Sequence, residues 1–520
     1  MKIIAGGAGM KLSQLLDKNI QDFGEYPFIF YGGKQYTNVE TKRYANQLAN
    51  GLRKHGVDRG ERVIVIMPNS PEVLFAYQGI TRAGAVIVPV MYSLHPKEIA
   101  FIANNCGAKL IITSSLLLNN ILQATELMDI RPSVLVSDAP TTNQAQNFYE
   151  YLSHSHDWNE ELVKEVVPED TAVILYTSGT TGNPKGVKLT HKNLYSNADN
   201  SANHSNVERG TTLGILPLAH VFGLTISHTC YIVGSSIVVF PRFEPDEVLA
   251  AIAAHKVRTF SVVPAMIHAL VAFPQADKYD TSSLESVSSG SAPLPLALLT
   301  AFEQKFGAQV FEGYGLSEAA PIVTAHKKDR PIKPGSVGIP IPGVNIKIVD
   351  EQDAEVPIGE IGELLVSGEN VTPGYFQNDE ETNRTLKGGW LYTGDLGLID
   401  DEGYLYIVDR KKDLVIRGGF NVYPRDVEEI LSKHSGISEV AVVGVPDERM
   451  GEELVACVVK DRSSCVTEEE LILYCQDNLA KHKTPRRIVF LESLPRNGVG
   501  KILKTHLKKV VTGTDLKQSK

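Results

Sequence analysis

The sequence predicts an α/β protein: a large N-terminal domain of two doubly wound βαβ subdomains plus a β-rich subdomain, then a small α+β C-terminal domain. Three observations predict it. Strand and helix signals alternate through the first half. Near residue 360 they give way to short, Gly-rich strands, and after residue 410 a compact mixed pattern follows. At 520 residues the chain also exceeds what a single core usually organises. We place the boundary between 1–409 and 410–520.

In order, Thr37-Asn-Val-Glu40 reads as a capping box, with Ala45, Leu48, Ala49 and Leu52 at helical spacing behind it and Gly56 as the stop. Residues 62–67 form a β-branched run, and Ser70-Pro71 opens a helix to about Arg82 as N-cap and first-turn proline. Strands at 85–90 and 109–113 flank a helix at 96–105, which completes βαβαβ. The pattern returns as a strand at 236–240, a helix at 245–254 and a strand at 258–263. IGELLVSG and GWLYTGDLGLIDDEGYLYIVDR then read as hairpins. A helix at 424–433, strands at 439–445 and 454–459, and a second capping box at Thr467–Glu470 make up the small domain. The polar tail TGTDLKQSK is expected to fray.

Composition excludes several classes of function. Hydrophobic residues are 43% and charged residues 22%, the balance of an ordinary globular protein. Lys and Arg number 51 against 61 Asp and Glu, and the net charge of -10 repels a phosphate backbone, so no nucleic-acid partner is expected. The longest apolar stretch, 74–92, is broken by Gly79, Arg82, Gly84 and Pro89, so no membrane span is expected and any membrane contact is peripheral. MKIIAGGAGM lacks the apolar centre of a secretory signal, and Met1 and Met10 are both open as starts. Five cysteines with no CxxC pair fit a reducing cytoplasm. There is no GxGxxG and no HExxH, which leaves dehydrogenase and metallohydrolase readings without support.

The most informative string is YTSGTTGNPKGVKLTH, 176–191, behind a buried-strand run. Thr177, Ser178, Thr180 and Thr181 offer hydroxyls, Gly179 and Gly182 let backbone N–H groups approach an anion, and Lys185 adds charge. It is not the common P-loop, because Pro184 precedes the lysine and no Ser or Thr follows it. Downstream, FEGYGLSE (311–318) supplies an aromatic face in Tyr314, a hydroxyl in Ser317 and a hard oxygen ligand in Glu318. Taken alone, this segment, SGSAP (289–293), YTGD (392–395), DRKKDLVIRGG (409–419) and PRNGVGK (495–501) read as turns or solvated loops. Their order along the chain singles them out.

That ordered series resembles the adenylate-forming enzymes, which include acyl-CoA synthetases, luciferases and peptide-synthetase adenylation domains. The resemblance runs by motif from about residue 171 to 505. It implies ATP and AMP binding by the 177–182 loop with Lys185, by Gly290, Ser291 and Ala292 beside the adenine, by Tyr314, Gly315 and Ser317, by Asp395 on the ribose hydroxyls, and by Arg410. It further implies Mg²⁺ on Glu318 and a catalytic Lys501 bridging the substrate carboxylate and the α-phosphate. Val499 stands where the family more often has Ser or Thr. The small domain is implied to be mobile, hinged at Lys412, so that Gly418 and Gly419 arrive to line the channel for coenzyme A, the co-substrate.

PLAHVFGL (217–224) resembles the segment bordering the acyl pocket of fatty acyl-CoA ligases and nominates His220, Phe222 and Gly223. His220 reads equally well as a hydrogen-bonded cleft histidine. No Asp occurs between Pro217 and Phe240 to hold a substrate ammonium, which argues against an amino acid. RKKDLVIRGGFNVYPRDVEE most resembles bacterial medium- and long-chain fatty acid–CoA ligases. The expectation is therefore an ATP-dependent acid–thiol ligase. Its alternatives are an aryl or short branched acid, an acyl carrier protein as acceptor, or a non-catalytic nucleotide-binding homologue. Either a monomer or a homodimer is compatible with this reading.

Overall fold

The computed structural model describes residues 9–154, 166–177, 184–461, 464–496 and 502–513. A seven-stranded sheet is ordered Gln146–Asn147, Ser133–Val136, Leu110–Thr113, Arg62–Ile66, Val86–Pro89, Thr171–Thr177, Lys185–Thr190. Each neighbouring pair is parallel except the last, which is antiparallel. The strands expected at 62–67, 85–90 and 109–113 are its centre. Buried on both faces, they are nearly continuous Val and Ile.

The capping box at Thr37 forms as expected. Its hydroxyl accepts from the Glu40 N–H and the Glu40 carboxylate accepts from the Thr37 N–H, opening the helix Asn38–Lys54. Ala45, Leu48, Ala49 and Leu52 are fully buried. A Cβ at Gly79, on the helix Pro71–Arg82, would lie 2.8 Å from the Leu48 Cβ, so glycine sets how closely these helices approach. Ser70 sits at the N-cap of that second helix but does not cap it; its hydroxyl points to the Met67 sulfur. Arg82, the charge that interrupts the apolar stretch, is buried and bonds Asp17, Asn46 and the Ser13 carbonyl. No helix among the described residues is long and apolar enough to cross a membrane.

The second subdomain departs from the simple expectation. The strands Ser236–Val239 and Thr259–Val262 form, with the helix Pro245–His255 between them, but they do not pair. Ser236–Val239 lies in a sheet ordered Thr211–Gly214, Ser236–Val239, Pro27–Tyr31, Lys34–Thr37. Thr259–Val262 begins another, with Ser286–Ser289, Gln309–Gly315, Ile322–Ala325 and Ile339–Pro340. The two sheets meet edge to edge, where the Thr212 hydroxyl donates to the Thr259 carbonyl at 3.1 Å.

The β-rich part is antiparallel, ordered Val344–Val349, Gly362–Gly368, Trp390–Ile399, Leu386–Lys387, with Leu405–Arg410 also on Trp390–Ile399. Beyond residue 410 the chain starts a new sheet, ordered Phe420–Val422, Val415–Arg417, Gly451–Lys460, Ile437–Asp447, with Arg487–Phe490 parallel to Gly451–Lys460. The helices Pro424–Leu431 and Glu468–Asn478 cover it, the latter behind the expected Thr467–Glu470 capping box. The buried clusters of this unit draw only on residues from 415 onward. The sheet changes at the turn 411–414, next to the boundary drawn at 409/410.

Candidate functional site

The parallel strands Thr259–Val262, Ser286–Ser289 and Gln309–Gly315 all end on one side, and their carboxyl ends open into a cavity of about 560 Å³. This is where open α/β sheets place ligands, because the chain diverges there and leaves a crevice. Of the nominated residues, Thr177, His220, Phe222, Gly290, Ser291, Tyr314, Gly315, Ser317, Glu318 and Arg410 line it. Five separate stretches of sequence therefore converge on one space.

Asp395 stands at the edge of that space. It faces Arg410 directly across the antiparallel pair, and its carboxylate takes the Arg410 guanidinium at 3.2 Å and the Tyr314 hydroxyl at 2.5 Å. The charge is therefore held by an arginine and a phenol before any diol arrives. Burial first, and then the Asp395 charge, push the Tyr314 phenol well above its ordinary range, so Tyr314 remains a donor. The sequence assigned Tyr314 by its aromatic face alone; the structure gives its hydroxyl a second task.

Glu318 is the middle residue of the short 3-10 turn Ser317–Ala319 after Gln309–Gly315, and burial raises its carboxyl. The Tyr375 hydroxyl donates to it at 2.9 Å. Among the described residues no three His, Cys, Asp or Glu side chains gather to hold a metal ion. A lone, partly buried carboxylate nonetheless suits Mg²⁺, which keeps most of its shell for phosphate and water.

Thr177 and Lys185 face each other across the antiparallel pair that flanks the hydroxyl-rich loop. Ser178, Gly179, Thr180, Thr181 and Gly182 lie outside the described residues, as does Lys501. The Lys185 ammonium pairs with Glu381 at 2.9 Å, both side chains nearly buried. Burial works against the Glu381 carboxylate, yet Arg384 and Lys185 hold it below its ordinary range. Sequence reasoning missed Tyr375 and Glu381. The Asn378-to-Glu381 spacing is a helix-start signal, formed as the Asn378 cap on the Glu381 N–H. It marks a helix and not a partner, and only the fold brings the two residues to Glu318 and Lys185.

Several nominated residues are placed differently from their expected roles. Gly223 is not on the cavity wall: a Cβ there would stand 2.2 Å from the Pro217 carbonyl oxygen, so glycine permits a backbone contact. Gly315 does line the cavity, but there too a Cβ would stand against backbone, 2.3 Å from the Pro321 oxygen. Ala292 is exposed off the wall, while Ser291 holds φ at +70, a conformation that costs a side-chain residue energy. His220 lines the cavity and is also the N-cap of the helix Val221–Val233, its Nδ1 accepting from the Phe222 N–H at 3.3 Å. Gly418 and Gly419 form the exposed two-residue tip between Val415–Arg417 and Phe420–Val422, away from the cavity, both at positive φ as such tight hairpins require. Lys412 lies in the turn between the two sheets, where Asp413 and Leu414 N–H groups bond the Arg410 carbonyl.

Comparison with known proteins supports the same reading. Residues 16–376 match the AMP-binding enzyme family and 426–501 the AMP-binding enzyme C-terminal domain. A long-chain-fatty-acid–CoA ligase of Bacillus subtilis is 36% identical over 527 aligned positions, covering 95% of this chain and 94% of the relative. A 4-coumarate–CoA ligase of Nicotiana tabacum is 33% identical, covering 94% and 92%. The crystal structure of ATP-bound MatB from Rhodopseudomonas palustris superposes with a TM-score of 0.88 at 30% identity, covering 97% of this chain and all of that one.

Proposed function

Because the chain belongs to the AMP-binding enzyme family, we propose that it is an ATP-dependent acid–thiol ligase for medium- or long-chain fatty acids. In the first step the carboxylate attacks the α-phosphate of ATP, forming acyl-adenylate and releasing pyrophosphate. In the second the thiol of coenzyme A attacks the acyl carbonyl, forming the thioester and releasing AMP.

Both steps bring negative charges together, so the protein's work is positioning and charge neutralisation. Tyr314 and the 290–291 turn would border the adenine. Asp395 would exchange its present partners, wholly or in part, for ribose hydroxyls, with Arg410 free to turn toward phosphate. Glu318, steadied by Tyr375, and the 177–185 segment would face the leaving pyrophosphate. Mg²⁺, held through Glu318, would supply positive charge to the phosphate oxygens. Lys501 is proposed as the cation between carboxylate and α-phosphate. Lys412 is proposed as the hinge about which residues 410–520 turn, bringing Gly418 and Gly419 to the thiol's path.

The observation that carries the substrate class is the cavity itself. From the Glu318 and Arg410 end it continues past Phe222 and Ile226 to Cys230 and Val233, one face of the helix Val221–Val233. From Phe222 to Val233 that stripe runs eleven residue steps, or about 16 Å at ~1.5 Å per step. An extended chain fills such a length, whereas a single aromatic ring leaves most of it empty. A pyrophosphate-release assay over a panel of fatty and aryl acids, with and without coenzyme A, tests the proposal. Release and thioester formation with fatty acids are expected. Aryl acids turned over in preference would move the substrate class, and adenylate formation without coenzyme A consumption would point to a carrier-protein acceptor.

A further inference from the structure

The cavity does not end inside the protein. Its far wall is built from Glu208, Arg258, Glu285 and Lys328, all partly exposed and all placed just outside the amino ends of the parallel strands. These four form one chain of ion pairs: Arg258 to Glu208 at 2.5 Å, Arg258 to Glu285 at 2.6 Å, and Lys328 to Glu285 at 3.5 Å. Between this cluster and the nucleotide end the first two strands present Thr259, Ser261, Ser286 and Ser288, small side chains that leave a channel beside Phe311 of the third strand. From Glu285 to Gly290 is five strand residues, about 16 Å at ~3.3 Å each. This agrees with the length measured along the facing helix.

We propose that the ion-pair cluster Glu208–Arg258–Glu285–Lys328 closes a second mouth of the cavity and gates the length of acyl chain accepted. The proposal rests on the fatty-acid reading above. With C–C bonds of about 1.5 Å projecting to ~1.3 Å per methylene, about twelve methylenes fit between Phe222 and the cluster. A longer tail must press its apolar end against paired charges or displace them, and desolvating those charges opposes it. The gate can open because exposed ion pairs hold weakly. The seam beside it, between Thr211–Gly214 and Thr259–Val262, is joined by the Thr212–Thr259 side-chain bond, so widening there breaks no strand-to-strand ladder.

The test is a kcat/KM profile over saturated acids from octanoate to octadecanoate for the wild type, Arg258→Ala, Glu285→Ala and Ser288→Phe. Removing either gate charge should raise the octadecanoate-to-dodecanoate ratio several-fold, since each methylene kept from water is worth about fourfold. Ser288→Phe, which plugs the channel midway, should lower the dodecanoate-to-octanoate ratio tenfold or more. Unchanged octadecanoate-to-dodecanoate ratios in both charge variants overturn the gate while leaving the ligase reading intact. A Ser288→Phe enzyme indifferent to chain length removes the tail from this cavity. Turnover of no acid by the wild type overturns the ligase reading and the gate together.

Discussion

Glu312 is 6% exposed in the strand Gln309–Gly315, and burial raises its carboxyl to about 7, against the opposing pull of the Leu294 N–H and the Arg425 charge. The unfolded chain has it near 4.5. Because the folded value is the higher one, folding favours the protonated form, and the stability this group gives is fully present below pH 4.5. It is lost progressively as pH rises to 7. The difference of about 2.5 units corresponds to about 3 kcal/mol at pH 8, at ~1.4 kcal/mol per unit. Glu312→Gln replaces the acid with a neutral isostere whose carbonyl still accepts from Leu294. It should be stabilising by about 3 kcal/mol at pH 8 and by under about 1 kcal/mol at pH 5. For a cooperative unit of roughly 400 residues, an unfolding entropy of ~2 cal/mol/K per residue converts that to a Tm rise of about 4 °C at pH 8. Calorimetric melts of both proteins across pH 5–8, following the transition of the large domain, measure it. A Tm difference that does not grow with pH, or a variant that melts lower at pH 8, would refute the reasoning.

Three further outcomes follow from named contacts. Gly223→Ala should cost at least about 2 kcal/mol, because the new methyl meets the Pro217 backbone at 2.2 Å and neither partner is a flexible side-chain end; a Tm within a degree of wild type would contradict it. Tyr375→Phe removes the hydrogen bond to Glu318 and should lower kcat about tenfold while raising the apparent KM for Mg²⁺; an unchanged KM for Mg²⁺ would separate Glu318 from the metal. Lys412→Pro fixes φ in the turn between the sheets, so pyrophosphate release in the absence of coenzyme A should persist while thioester formation falls; equal loss of both half-reactions would remove the hinge.

Local physics was legible in the sequence. The capping boxes at Thr37 and Thr467 formed as read, since a hydroxyl and a carboxylate three residues apart satisfy free N–H groups wherever the helix sits. The Val- and Ile-rich strands at the centre of the first sheet were equally plain, because burial on both faces leaves no room for polar alternation. Motif order marked Tyr314, Glu318, Asp395 and Arg410. Tertiary structure decided what those residues do to one another: that Tyr314 and Arg410 share the Asp395 carboxylate, that Tyr375 serves Glu318, and that Glu381 holds Lys185. It also moved Gly223 from pocket wall to backbone contact and placed Thr211–Gly214 beside Thr259–Val262. Hydrogen bonds and van der Waals contacts act over a few ångströms, so partners distant along the chain leave no local trace until folding brings them within reach.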